Sequence, residues 1–394
     1  MSGIRLTVLD DGLFVRTNAG EVRPLAATFH RFVEAVARSG TFARVSYVVP
    51  VRDLRIWEVE PALDPVDESV LEIVPTTFFT GIADYLLRVG WIAARNWSPI
   101  ERAIADADLL WLRLPASNAL LALAAARFHG VPHFGWLAGS VRSVAGAQRR
   151  PLPLRLAAQA VGSAYDSVSE LAARGGPMIT LDEHLFASVV TTEEVEQTRS
   201  ELQPVREAGR WQLVWSGRMA AEKGLLELVD AVGLLLEQRR GVSLALIGDG
   251  PARAQVERAV ARLPAGTVAD YGYVGDRPSY MKLLRSGDLF VHPSRAEGVP
   301  KVLVEAMAAG LPIVATDSGA VRSVLGSGER GQVVRSTNGG ALAEAISRLL
   351  ADPPQRRQLR QRGLEWAADH TAEAQAGRLV EWLRRRFVEL DWPA

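Results

Sequence analysis

The 394-residue chain contains no cysteine. Disulfides, thiolate metal sites and a cysteine nucleophile are therefore excluded, and the absence fits a reducing compartment. The chain also lacks any uncharged apolar stretch of the ~18–20 residues that a bilayer-crossing helix needs. Its opening, Met1 to Asp11, has no long apolar run of the secretory kind. The expectation is a cytoplasmic protein, soluble or peripheral to a membrane. Neither charge is in excess: Lys+Arg and Asp+Glu are both 45, whereas a general nucleic-acid binder would carry a strongly basic face. Histidine is sparse, and the six are scattered without metal-ligand spacing. There is no low-complexity tract and no short repeat.

What is present is an ordinary globular balance of 48% hydrophobic and 23% charged residues. The length suggests two domains of roughly 150–200 residues each. Short apolar runs alternate with helical patterns. In the first half, strands are expected near Ile4–Asp10, Ala43–Val51, Leu109–Pro115, His133–Gly139 and Met178–Asp182. A helical stretch carries Leu25, Phe29, Phe32, Val33 and Val36 on one face. A second helix spans Asn118–Phe128, with Asn118 as its cap and Gly130 and Pro132 closing it. In the second half, strands are expected at Trp211–Ser216, Val242–Ile247, Asp288–His292, Ile313–Thr316 and Gln332–Val334. Helices are expected near Leu225–Gln238, Arg253–Leu263, Val302–Ala309 and Ala341–Leu350. This alternation predicts an α/β chain with two doubly wound, Rossmann-like domains facing a crevice. The polar stretch Thr191–Arg210 reads as the linker, giving domains over 1–190 and 205–372. Leu379, Trp382, Leu383 and Phe387 share one face of an amphipathic segment, Glu373–Trp392.

Three segments of the second half carry the chemistry. The first, Ser216-Gly217-Arg218-Met219-Ala220-Ala221-Glu222-Lys223-Gly224, follows a strand, at the carboxyl end where α/β sheets bind ligands. Arg218 and Lys223 there could clamp a diphosphate, one as a planar fork and the other as a point charge. A solvated loop is the plain alternative. The second is Ile247-Gly248-Asp249-Gly250-Pro251, where Gly248 permits close approach of a ligand or of another chain segment. The third runs from His292 to Pro312 and contains Glu297-Gly298-Val299-Pro300-Lys301-Val302-Leu303-Val304-Glu305. Gly298 and Pro300 read as a loop entering a helix. Free amides and the helix dipole would make an anion pocket there. Glu305 would then lie roughly 6 Å along that helix from its start near Lys301.

Taken in order, these segments resemble the retaining glycosyltransferases of family four, which have the GT-B fold. The resemblance covers roughly Trp211–Thr371 and rests on the pair Arg218/Lys223 and on Glu297-x7-Glu305. It implies a metal-independent enzyme that moves a sugar from a nucleotide-diphosphate sugar, UDP- or GDP-linked, to an acceptor hydroxyl with retention of configuration. The nucleotide sugar is a substrate, so no cofactor is implied. Arg218, Lys223 and Glu297 would be the catalytic group, with Glu297 at the donor sugar and Glu305 at the nucleotide ribose. Amides around Val299, Lys301, Val302 and Leu303, with Gly217, Gly248, Gly298 and His292, would line the donor site, and Tyr273 and Val274 would lie near the base. The segment 373–394 would cross back to the first domain. The acceptor would be a small molecule, a glycan or a lipid-linked compound.

Other signals carry less. Asp106-Ala107-Asp108 matches an Asp-x-Asp metal motif, but acidic residues at a helix end are the simpler reading. Asp10-Asp11 could line the crevice or cap a turn. His133 and His184 read as packed histidines, while Trp91, Trp97 and Trp111 fall without helical spacing and could be core, acceptor platform or membrane edge. Arg142, Arg149, Arg150 and Arg155, interleaved with leucines, could face an anionic acceptor or simply solvent. Competing functions are a sugar-nucleotide epimerase or hydrolase, and a catalytically silent sugar-nucleotide-binding subunit. The family's glycine pair after the first strand is replaced by Asp11 to Gly20, where Asn18, Ala19 and Gly20 are the acceptor-side candidates. An Asn18→Ala/Gly20→Val double change is expected to lower transfer. Undiminished turnover in a steady-state assay would remove those residues from the site.

Overall fold

The computed structural model describes residues 3–393, apart from 26–27, 56–57, 59–60, 62, 81, 138–158, 161, 165, 168–170, 172–174, 181–184 and 337. Arg142, Arg149, Arg150, Arg155 and His184 lie outside the described residues. The chain divides into two compact units. One runs to Ala187 and takes the chain back from Ala372, and the other is Ser188–Thr371. No described helix is long and apolar enough to cross a membrane.

The first unit has an eight-stranded sheet built from β1 (Ile4–Leu9), β2 (Phe14–Arg16), β3 (Val22–Pro24), β4 (Phe42–Asp53), β5 (Glu72–Thr77), β6 (Leu109–Leu114), β7 (His133–Leu137) and β8 (Met178–Ile179). Its parallel part runs β5-β4-β1-β6-β7-β8, and β2 pairs with the far end of β4 and with β3. β1 and β6 are almost entirely buried, as their near-continuous apolar sequences require of strands covered on both faces. On one face Trp111 packs between Phe29, Phe32, Phe134 and Trp136, with ring centroids 5.3–6.0 Å away. The helix Ala372–Arg386 joins this core through Leu379 and Leu383, and Trp382 lies 5.8 Å from Phe134.

Several expectations need correction. The helix Phe29–Ala37 begins four residues after Leu25, because the antiparallel β2–β3 pair extends to Pro24. Asn118 makes no side-chain cap; its Oδ1 instead accepts from Asn96, whose own Oδ1 accepts from the Thr77 amide. Trp91 and Trp97 do lie on a helix, Val89–Ala105, but on its outside, at 54% and 40% exposure. The buried residues are Ile92, Asn96, Ile100 and Ile104, four apart, a repeat hidden by polar Asn96 and by Pro99 within the helix. Asp106 and Asp108 are both bound by Arg5, and Asp106 also by Arg44, so each is committed to ion pairs that hold β1, β4 and β6 together. Asp11 accepts from the amide and hydroxyl of Ser117, both at 2.6 Å.

Asp10 directly follows β1 and is a buried carboxylate. It accepts from the Tyr47 hydroxyl at 2.5 Å and from Arg113, whose guanidinium lies 4.3 Å from the Phe29 ring centre. A buried carboxylate that loses its cation costs far more than the pair gains. Arg113→Met is therefore expected to lower stability by about 3–5 kcal/mol, measured by urea unfolding. A loss below ~1 kcal/mol would contradict the assignment.

The second unit has six parallel strands, β9 (Trp211–Ser216), β10 (Val242–Ile247), β11 (Val268–Asp270), β12 (Leu289–His292), β13 (Ile313–Thr316) and β14 (Gln332–Val334), in the order β11-β10-β9-β12-β13-β14. Helices Leu225–Glu237 and Gly339–Leu350 bury Leu228, Val232, Leu235, Leu342, Ile346 and Leu349 in its core. The stretch read as a linker is instead a helix over Thr192–Glu201. It is closed by a reciprocal capping box in which Thr191 Oγ1 accepts from the Glu194 amide and Glu194 accepts from the Thr191 amide.

Candidate functional site

Sheet order fixes where a ligand can approach. β9 lies between β10 and β12, so the chain leaves β9 and β12 in opposite directions and a crevice opens at their carboxyl ends. The loop after β9 ends in a short turn, Ala221–Lys223, and the loop after β12 leads into the helix Lys301–Ala308. Three of the expected residues, Lys223, Glu297 and His292, meet there. Lys223 Nζ donates to Glu297 Oε1 at 2.6 Å. His292 Nε2 lies 2.9 Å from the same oxygen, although off the hydrogen-bonding direction. Both partners are short of solvent, with Glu297 about one-tenth and Lys223 about one-quarter exposed. Burial pushes the Glu297 carboxyl up, but His292 and Lys223 outweigh it and bring it down to about 2.

The loops are pinned before any ligand arrives. The Arg295 amide donates to Glu222 O at 2.8 Å, and its side chain binds Glu227 and Ala221 O, which fastens the Glu297 loop to the Lys223 turn. A Cβ on Gly224 would fall 2.0 Å from Pro293 O, and one on Gly248 would fall 1.9 Å from Gly217 O. Backbone therefore packs on backbone at both places, at φ values of 66° and 140° that favour glycine. Amides continue this stitching, from Gly217 to Ile247 O, Met219 to Asp249 O and Gly248 to Gly272 O. Gly248 thus serves the neighbouring chain segment.

Glu305 lies on the helix Lys301–Ala308, and Pro300 occupies the cap position. Its Oε2 accepts from the Tyr280 hydroxyl at 2.9 Å, and its Oε1 pairs with Arg277. Ser216, at the end of β9, donates to the Tyr280 hydroxyl at 3.1 Å. The other edge of Arg277 is gripped by Glu194 at 2.6 and 2.9 Å. Burial pushes the Arg277 guanidinium down, but Glu305 and Glu194 prevail and raise it; burial and Glu305 both drive the Tyr280 hydroxyl well above its usual range. Sequence reasoning missed Arg277, Tyr280 and Glu194. The run Asp276-Arg277-Pro278-Ser279 was a readable helix start, and the Asp276 side chain does cap the Ser279 amide. Arg277 and Tyr280, three apart, then share a face.

The remaining expected residues lie outside this cluster. Arg218 is exposed and pairs with no described residue. Gly298 is exposed, while Val299, Lys301 and Val302 are half-buried at the helix start, where the Leu303 amide donates to Pro300 O at 3.0 Å. Leu303 is fully buried and belongs to the packing under that turn. Tyr273 is 51% exposed, and Val274 half-buried, on the loop following β11. Asn18, Ala19 and Gly20 form the exposed tip between β2 and β3 of the first unit.

Comparison with known proteins gives this geometry a context. Residues 196–366 match the family model described as glycosyl transferases group 1. The chain is 34% identical over 139 residues to a putative teichuronic acid biosynthesis glycosyltransferase of Bacillus subtilis, covering 34% of this chain and 32% of the relative. It is 35% identical over 159 residues to the alpha-D-kanosaminyltransferase of Streptomyces kanamyceticus, covering 40% and 39%. The chain therefore spans about a third to two fifths of the length of these curated relatives. Anabaena HepE, solved with UDP and glucose, superposes with a TM-score of 0.63 at 15% identity, over 96% of this chain and 99% of that one. Sucrose-phosphate synthase from Thermosynechococcus elongatus gives 0.66 at 19% identity, over 98% and 100%. The likeness extends over both α/β units, and the fold is GT-B.

The folded Glu297 carboxyl is depressed, so its stabilising effect is complete above its ordinary value of 4.5 and fades as pH falls towards about 2. Wild type should therefore hold an advantage over Glu297→Gln that is constant from pH 8 to pH 5 and shrinks by on the order of 3 kcal/mol on acidification below that. Urea unfolding across pH checks this; an advantage that shrinks between pH 8 and pH 6 would point to a different titrating group.

Proposed function

We propose that the chain is a glycosyltransferase that moves a sugar from a nucleotide-diphosphate sugar to an acceptor hydroxyl, with retention of configuration and without a metal ion. The observation that carries this reading is the meeting of Lys223 and Glu297 at the point where the strand order reverses, within the segment matching glycosyl transferases group 1. UDP is the first choice of nucleotide, because a structural neighbour was solved with UDP and glucose, and GDP is the second.

The chemistry follows from where charge develops. Breaking the bond between the anomeric carbon and the phosphate oxygen leaves negative charge on the nucleoside diphosphate. The Lys223 ammonium has three N–H donors and hydrogen-bonds Glu297 with one of them, so the others remain for phosphate oxygens. Arg218 brings a second cation, and the first turn of Lys301–Ala308 brings the positive end of its helix dipole. Such preorganised donors stabilise the leaving group without rearranging. The departing phosphate oxygen takes the proton of the acceptor hydroxyl as the new bond forms on the same face of the sugar, which retains configuration. Glu297 remains ionised and binds sugar hydroxyls.

Calorimetry with UDP, GDP, ADP and TDP in a chelating buffer is expected to show selective binding of one diphosphate. Arg218→Ala/Lys223→Ala should weaken it by roughly 100-fold or more, and Glu297→Ala should abolish transfer by folded protein. Nucleoside diphosphate should be released from the sugar nucleotide only when an acceptor is added. Release without acceptor would favour a hydrolase, and absence of binding a silent subunit.

A further inference from the structure

Glu305 is the second carboxylate of the site, and its aim is set by groups that nothing above assigns to the reaction. The chain of constraint begins away from the ligand. The reciprocal cap with Thr191 fixes Glu194 at the first turn of Thr192–Glu201. Glu194 then holds the Nε–Nη2 edge of Arg277 with two parallel hydrogen bonds, and Nη2 also reaches Val189 O at 3.4 Å. A guanidinium gripped along one edge cannot turn in its own plane, so Nη1 has a single direction left, and it points at Glu305 Oε1. Tyr280 fixes Oε2 in the same way, with Ser216 behind it. All three ionic side chains are 12–14% exposed, so water competes little for these bonds.

We propose that Arg277 is a positioning residue for Glu305: it holds that carboxylate oriented so that its remaining lone pairs accept from the ribose hydroxyls of the donor nucleotide. The proposal rests on the donor-site reading above. An ionised carboxylate offers about four lone-pair sites. Arg277 and Tyr280 occupy two, and two are left for a vicinal diol. A lysine in place of Arg277 could neutralise charge but could not bond along an edge and aim a third N–H at once. A neutral residue would leave Glu194 and Glu305 as like charges without the cation between them.

The experiment measures binding of the nucleoside diphosphate that wild type prefers, alongside its 2′,3′-dideoxy analogue, to wild type, Arg277→Gln and Arg277→Lys. Wild type should favour the ribose form by about tenfold or more, the worth of one or two hydrogen bonds to a charged group. In Arg277→Gln that preference should fall below about threefold, with the affinity for the dideoxy form within about twofold of wild type. Arg277→Lys, which keeps the buried charge, should show an intermediate preference and carries the test if the glutamine variant does not fold. A preference that survives in the folded variant overturns the proposal, as does equal weakening of both ligands, which is what loosened packing alone would give. A wild-type protein that binds the diphosphate but ignores the ribose also overturns it, while leaving the donor site standing. A wild-type protein that binds no diphosphate removes the donor-site reading itself.

Discussion

Placing β9 between β10 and β12 is the constraint from which the second unit's site follows. Parallel strands whose connections leave in opposite directions cannot close over their carboxyl ends, so a crevice is left there. Two loops that are 74 residues apart in sequence at Lys223 and Glu297 become its walls. The strands themselves are built to be covered, with β9 and β10 buried along almost their whole length. Helices on the faces supply that cover, and the loops at the strand ends are left to do chemistry.

The site keeps two glutamates that are only 10–12% exposed, and it stabilises them differently. Glu297 has a single lysine and a nearby imidazole, an arrangement with protons to spare for another anion. Glu305 has a guanidinium and a phenol, one on each oxygen, an arrangement that fixes direction. On the proposed reading, a mobile ammonium suits a group that shares its charge with an arriving phosphate, and a planar fork suits a group that is to be oriented. Neither arrangement is needed by the core, which elsewhere in the unit consists of aliphatic residues with Met219, Trp211 and Trp215.

How much of this was legible in the sequence depends on whether neighbours in space were also neighbours in pattern. Trp211–Ser216, Val242–Ile247, Ile313–Thr316 and Gln332–Val334 coincide with their expected limits because short, mostly apolar runs bounded by glycine, proline or charge admit little else. Lys223 and Glu297 were found because each lies in a local motif. Arg277 was not, because its partners are 83 residues before it and 28 after it, and no local period records such a meeting. The helix at Thr192 was missed for another reason. It is polar on almost every face, and only Val195 and Thr198 are buried, so the capping box alone announced it. Trp91 and Trp97 misled in the opposite sense, since bulky apolar residues on the outside of a helix invert the usual inside-out pattern.

The close approach of Gly248 to Gly217, and of Gly224 to Pro293, means that the floor of the crevice is main chain. A floor of this kind has no side chains to exchange, so redesign of the pocket has little to act on there. Its editable surface is the border: Arg218, Tyr273, Val299 and Val302, which stand clear of those contacts. If the proposed donor site is right, a library randomised at the border would explore sugar and base preference on a fixed frame. One randomised at the glycines would mostly sample broken frames.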